Sequence, residues 1–237
     1  MATILNIETS TEVCSVSLAK NGELLFEEES TEGLNHSELL TVFIENIFKE
    51  NNIDFETLDA VAVSKGPGSY TGLRIGVSVA KGLCYALNKP LIAISTLDAM
   101  AGYTVQNLNH FYKSSAYESV LLCPMLDARR MEVYTSVYNA SGKQIEPITA
   151  KIIEEKSFIS FLENNKMLFF GNGSEKCKSK IQHVNAVFQG PLKASARFMI
   201  LLAEKKYKKK EFEDVAYFEP FYLKDFIATI PKNKIIK

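Results

Sequence analysis

The spacing of apolar and polar positions changes several times along the first hundred residues, and each change marks an element. Thr3 to Glu8 and Val13 to Lys20 are rich in aliphatic residues and predict strands, and Glu23 to Glu29 predicts a third. Asn21-Gly22 joins the second and third. A two-residue hairpin turn needs positive φ at both central residues, which this pair supplies. From Leu34 to Glu50 the period becomes helical, with Leu39, Leu40, Phe43, Ile44, Ile47 and Phe48 on one face. The apolar run Leu58 to Val63 predicts a buried strand and Leu73 to Leu87 a second helix. Leu91 to Ile94 predicts a short strand, and a third helix opens near Thr96. The order β-β-β-α-β-α-β-α implies a mixed sheet with helices packed on it, hence an α/β class.

Asn107 to Glu118 is polar and lacks a clear period. It divides the chain into an N-terminal lobe, residues 1–106, and a smaller C-terminal lobe, residues 107–237. The second lobe opens with strands at Val120 to Leu126 and Glu132 to Tyr138, around Asp127-Ala128-Arg129-Arg130, and a turn at Ser141-Gly142. A helix near Ser157 to Glu163, a strand near Met167 to Phe170 and a helix from Ser195 to Lys206 follow. Both halves start with strands and continue with α/β alternation, so two similar lobes are expected.

Composition narrows the class. With 237 residues, 46% hydrophobic and 23% charged, the chain can bury a sizeable core without disulfide or metal. A net charge of −1 is far from the basic excess of a domain that holds nucleic acid by itself. Cys14, Cys84, Cys123 and Cys177 are far apart with no CxxC spacing, which fits buried thiols in a reducing cytoplasm. No signal peptide pattern precedes Ile4, and no run of 18 apolar residues occurs, so a cytoplasmic protein with no membrane span is expected.

The richest stretch is Ser64-Lys65-Gly66-Pro67-Gly68-Ser69-Tyr70-Thr71-Gly72-Leu73-Arg74, between a strand and a helix. Bare backbone N–H groups at a helix start can cradle an anion. No lysine follows Gly72 as a P-loop demands, and Gly66, Gly68 and Gly72 are spaced one residue too long for the dinucleotide fingerprint. Two readings remain: a non-standard cradle using Gly66, Gly68 and Ser69 with Glu8, Thr9 and Asp127, or a helix cap at Ser69 or Thr71 with glycines allowing close approach. Further along, Gly72, Gly76 and Ala80 form a stripe of small residues that admits either the chain's own sheet or another helix. The wide apolar face of the first helix points to a subunit interface, built from Leu39, Leu40, Phe43, Ile47, Gly72, Gly76, Ala80 and Leu83. On that reading Gly76→Leu leaves the monomer folded and abolishes association.

Other chemistry is sparse. His36, His110 and His183 have neither HExxH nor HxxxH spacing, and no GxSxG elbow occurs, so no metal site and no catalytic residue is assigned. Glu8 and Asp127 each close a predicted strand. Facing one cleft they could hold hydrated magnesium, whereas singly each is expected to cap a turn. The lysines at 205, 206, 208, 209 and 210 suit a solvated helix end better than an RNA patch.

Ile4-Leu5-Asn6-Ile7-Glu8-Thr9-Ser10-Thr11, Asn35-His36-Ser37-Glu38-Leu39-Leu40, Gly66 to Gly76 and Asp127-Ala128-Arg129 with Glu132-Val133-Tyr134 resemble the bacterial TsaB family. The resemblance is dense up to about Ala101 and thin after Tyr138. It implies the fold of the actin-like ATPase superfamily, shared with sugar kinases and chaperone ATPases, with two ribonuclease-H-like lobes and mixed sheets. It also implies a non-catalytic paralogue of TsaD that dimerises with it through the first two helices. With the ATPase TsaE, that pair supports threonylcarbamoyl transfer onto the adenosine beside the tRNA anticodon. A homodimer is implied when TsaD is absent, tRNA is met only through the complex, and ATP or ADP and metal belong to the partner subunits. The metal histidines of the catalytic paralogue fall here on Thr96 and Met100. Asp127 is followed by Ala128-Arg129-Arg130 without glycine, and Glu8 stands where the family commonly has Asp, so the phosphate and magnesium sites look degenerate. Rival functions are a stand-alone ATPase or kinase using the Glu8/Asp127 cleft, and a metallopeptidase.

Overall fold

The computed structural model describes residues 2–33, 35–111 and 120–224. The first lobe opens with β1 (Thr3–Glu8), β2 (Cys14–Lys20) and β3 (Glu23–Ser30). Asn21 and Gly22 take φ of 57° and 82°, the positive values that the hairpin between β2 and β3 requires. Next come α1 (His36–Glu50), β4 (Ala60–Gly66), α2 (Tyr70–Leu87), β5 (Leu91–Ser95) and α3 (Thr96–Gln106). The sheet order is β3-β2-β1-β4-β5, with β1–β2 and β2–β3 antiparallel and β1–β4 and β4–β5 parallel. Period-two alternation splits the sheet's two faces. Leu5, Ile7, Val16, Leu18, Val61 and Val63 pack beneath α1 and α2, while Ile4, Ala60 and Ala62 join a second core on the opposite face.

The second lobe repeats this plan. Its strands are β6 (Val120–Asp127), β7 (Glu132–Tyr138), β8 (Gln144–Ile152), β9 (Lys166–Phe170) and β10 (Ala186–Phe188). Their order is β10-β9-β6-β7-β8, again antiparallel across the first three and parallel across β6, β9 and β10. Strand for strand, β6 stands where β1 stands. The crossovers differ: α4 (Leu108–Phe111) precedes this lobe, and α5 (Ile159–Leu162) and α6 (Ser174–Cys177) span only four residues each. A 3-10 turn (Ala196–Met199) then leads into α7 (Ile200–Lys209). Met100 of α3 and Ala203 of α7 share one core with Ile92 and Ile94 of the first sheet and Leu122 and Phe170 of the second. The two lobes therefore close on each other through α3 and α7. Each lobe is thus an α/β unit built on a five-stranded mixed sheet of the same strand order.

Several expectations change. The second helix starts at Tyr70 rather than Leu73, because the Ser69 side chain caps it by accepting the Gly72 N–H at 3.3 Å. The expected helix from Ser195 begins as the tighter 3-10 turn, and that near Ser157 shrinks to Ile159–Leu162. Strands β8 and β10 were not anticipated. The proposed boundary stretch Asn107 to Glu118 lies largely outside the described residues, as does Leu34 at the start of the first helix. All four cysteines are buried free thiols; burial pushes Cys14, Cys84 and Cys177 up to about 11 and Cys123 to about 12. No helix among the described residues is long and apolar enough to cross a membrane.

Candidate functional site: the inter-lobe turns and the outer helices

Two glycine turns and two acids lie at the carboxyl ends of β1, β4, β6 and β9. In the first lobe the loop after β1 runs under the start of α2. The Ser10 carbonyl accepts the Ser69 N–H at 2.6 Å, and Thr9 Oγ1 donates to the Gly72 carbonyl at 2.8 Å. A Cβ added at Gly68 would lie 2.2 Å from the Ser10 oxygen; at Gly72, 2.1 Å from the Thr9 oxygen; at Gly76, 2.2 Å from Thr9 Oγ1. The missing side chains thus make room for the chain's own loop. His36 joins this packing: it is buried, and its Nε2 lies 2.8 Å from the Thr11 carbonyl.

The small-residue stripe therefore faces inward. Gly72, Gly76 and Ala80 are buried against the first lobe, and so are Leu40 and Ile47 of α1. Their assignment to a subunit interface is corrected: in the folded monomer these five are not at the surface. Leu39 and Phe43 of α1 and Ile75, Val79 and Leu83 of α2 are half-buried at the edge of the first lobe's core, and Val42 is 46% exposed.

Glu8 is buried, and its carboxylate accepts the Ser10 N–H at 2.6 Å. Desolvation pushes its pKa up, partly offset by hydrogen bonds from Ser10 and Ser64. Asp127 is exposed and engaged otherwise. Its Oδ1 accepts the Arg129 N–H at 2.7 Å and the Lys176 ammonium at 2.8 Å. Lys176 also donates to the carbonyls of Arg130 and Glu132, both at 2.7 Å. One ammonium thus fills the turn between β6 and β7. Arg129 and Arg130 hold φ of 68° and 51°, a conformation that glycine takes more readily. Each acid is thus bonded within its own turn. Among the described residues no three His, Cys, Asp or Glu side chains converge to hold a metal.

A second glycine turn had been missed. Gly171-Asn172-Gly173-Ser174 follows β9 as Gly66-Pro67-Gly68-Ser69 follows β4, and Gly66 and Gly171 share a φ of 101°. A Cβ at Gly171 would lie 2.3 Å from the Met125 oxygen, and one at Gly173 2.9 Å from the Asp127 nitrogen. Asn172 ties the lobes together, accepting the Asp127 N–H at 3.0 Å and donating to Glu12 of the first lobe at 2.8 Å. The repeated G-x-G-S was its signal in the sequence.

Fold and turns define the class: a two-lobed α/β protein with a mixed sheet in each lobe, whose glycine turns are filled by its own chain. Known proteins narrow it further. The family model described as TsaD, tRNA N6-adenosine threonylcarbamoyltransferase, matches residues 30–232. The Bacillus subtilis tRNA threonylcarbamoyladenosine biosynthesis protein TsaB is 30% identical over 227 residues, 94% of each chain. Its Haemophilus influenzae counterpart is 28% identical over 235 residues, 95% of each. A Pseudomonas aeruginosa crystal structure, described as similar to peptidase YeaZ, superposes with a TM-score of 0.78 at 26% identity, over 94% of this chain and all of that one. The chain belongs to the TsaB family.

Proposed function

We propose that the chain serves tRNA N6-threonylcarbamoyladenosine biosynthesis as a non-catalytic subunit that docks a TsaD-type catalytic partner, with TsaE-type ATPase completing the complex. Family membership supports the pathway. The docking role rests on one observation: the outward sides of α1 and α2 carry Leu39, Val42, Phe43, Ile75, Val79 and Leu83, none fully covered by the chain itself. In the absence of that partner, a second copy takes the same face.

The same reading assigns nucleotide and metal to the partner subunits. What supports this is local: Ser10 and Thr9 fill the space beside the glycine loop, and Lys176 occupies the β6–β7 turn. The residues present do not fit a phosphate cradle, so no catalytic step is derived through a bound nucleotide.

Two measurements test the proposal. Depleting the protein lowers threonylcarbamoyladenosine in bulk tRNA; unchanged levels refute the pathway. Val42→Asp places an unpaired charge in the proposed contact, so affinity for the TsaD-type partner falls by about 2 kcal/mol or more while the monomer's melting temperature holds. Undiminished binding by a folded variant refutes the face.

A further inference from the structure

Beyond α7 the chain turns back along the first lobe as a strap, from Glu211 to Lys224. Its first half is built in. Glu213 forms an antiparallel bridge with Leu91, donating its N–H to the Leu91 carbonyl at 2.9 Å and covering the free edge of β5. Lys81 of α2 donates to the carbonyls of Ala216 and Phe218 at 3.0 and 3.2 Å, and Val215 and Phe218 pack against the core beneath α2. Asp214 closes the turn, accepting the Phe218 N–H at 2.8 Å.

The second half is held differently. After Glu219-Pro220, Phe221 is 41% exposed and donates its N–H to the Lys65 carbonyl at 2.7 Å. Its own carbonyl would lie 3.0 Å from a Cβ at Gly66, so the strap passes closely over the glycine loop. The Tyr222 ring lies 4.9 Å from that of Tyr70, and its hydroxyl accepts from Arg74 Nε at 3.3 Å. Lys224 then crosses to the second lobe, pairing with Glu132 on β7 and sitting 5.9 Å from the Tyr134 ring. Surface ring contacts and ion pairs of this kind are individually weak, whereas apolar anchoring such as that of Val215 and Phe218 is not.

We infer that residues 219–224 are a latch, hinged after Phe218, that closes over the glycine loop and the start of α2 and fastens to the second lobe through Lys224 and Glu132. Opening uncovers the Gly66 turn and the Lys65 carbonyl and releases Arg74 Nε from the Tyr222 hydroxyl, while the anchored half stays in place. The latch is a property of this chain alone and does not depend on the docking proposal.

Amide hydrogen exchange on the full-length chain tests it, because Glu213, Phe218 and Phe221 each donate a backbone hydrogen bond and report the two halves separately. Lys224→Glu sets like charges against each other at Glu132, and Tyr222→Ala removes the ring contact. In either variant the Phe221 amide exchanges about tenfold faster or more, with Glu213 and Phe218 within about twofold of the parent. An unchanged Phe221 amide in both folded variants overturns the latch. So does acceleration of all three amides together, which would make the strap one body with no hinge at Phe218.

Discussion

The two lobes share one strand order and one glycine turn, yet clothe their sheets differently. In the first, α1 and α2 span 15 and 18 residues and leave apolar side chains on their outer sides. In the second, the matching crossovers are helices of four residues, and the sheet is covered by Phe158, Leu162, Cys177 and Ile181. The sheet plan is thus independent of helix length; what length adds is a second helix face. A four-residue helix has one turn and can serve only the core, whereas a five-turn helix buries one stripe and still presents another. This difference locates the proposed docking face on the first lobe.

The largest expected effects come from glycines that admit the loop after the first strand. Gly76→Leu forces a side chain onto Thr9, itself buried and hydrogen-bonded, so the monomer loses about 3 kcal/mol or more in urea unfolding. This replaces the expectation that the variant stays folded. Gly68→Ala, with its Cβ 2.2 Å from the Ser10 oxygen, should cost more than Gly173→Ala, whose nearest atom, the Leu126 carbonyl carbon, lies 2.8 Å away. Equal costs would show that both turns yield alike and would erase this contrast between the lobes.

These glycines also mark how far the pattern of residues could be read. Their spacing and helical stripe were legible, but not what they faced, since Thr9 and Ser10 lie some sixty residues earlier. The hairpin at Asn21-Gly22 and the apolar run of β4 were legible because the signal is local. Strand β8 was not: Gln144 to Ile152 holds Pro147, lies at the sheet edge and is mostly exposed or half-buried, so no core-facing alternation disciplines it. Strand β10, with three residues, is too short to carry a period. Lys176 was invisible for the same reason as Thr9, because its acceptors lie 44 to 49 residues away.

A middle-sized effect is expected at that lysine. Lys176→Met keeps the aliphatic stem and removes the donor shared by Asp127, Arg130 and Glu132. The half-exposed carboxylate and the turn can recruit water in its place, so the cost is about 1–2 kcal/mol rather than the full penalty of a buried orphan. Exchange at the Ala128 and Glu132 amides, both hydrogen-bonded across the turn, should quicken while the first lobe's Ser69 amide is unmoved. A Ser69 response would mean the two turns are coupled through Asn172 and Glu12, and the lobes could not be treated as separately closed.

The smallest effect is the pH dependence that Glu8 adds. Glu8 is buried and its pKa is raised above the ordinary 4.5, so the folded state keeps this proton to higher pH than the unfolded chain does. The sign follows: between the unfolded and folded values the native state binds more protons, so this group's contribution is greatest below the unfolded pKa and is lost as pH rises through the folded one. Glu8→Gln cannot ionise, yet its amide oxygen still accepts the Ser10 N–H. Relative to the parent, the variant should therefore gain stability from pH 4 to pH 8, read as a rising difference in urea midpoint. A falling difference would mean that the hydrogen bonds of Ser10 and Ser64 outweigh burial and that the carboxylate is the form the first lobe is built to hold.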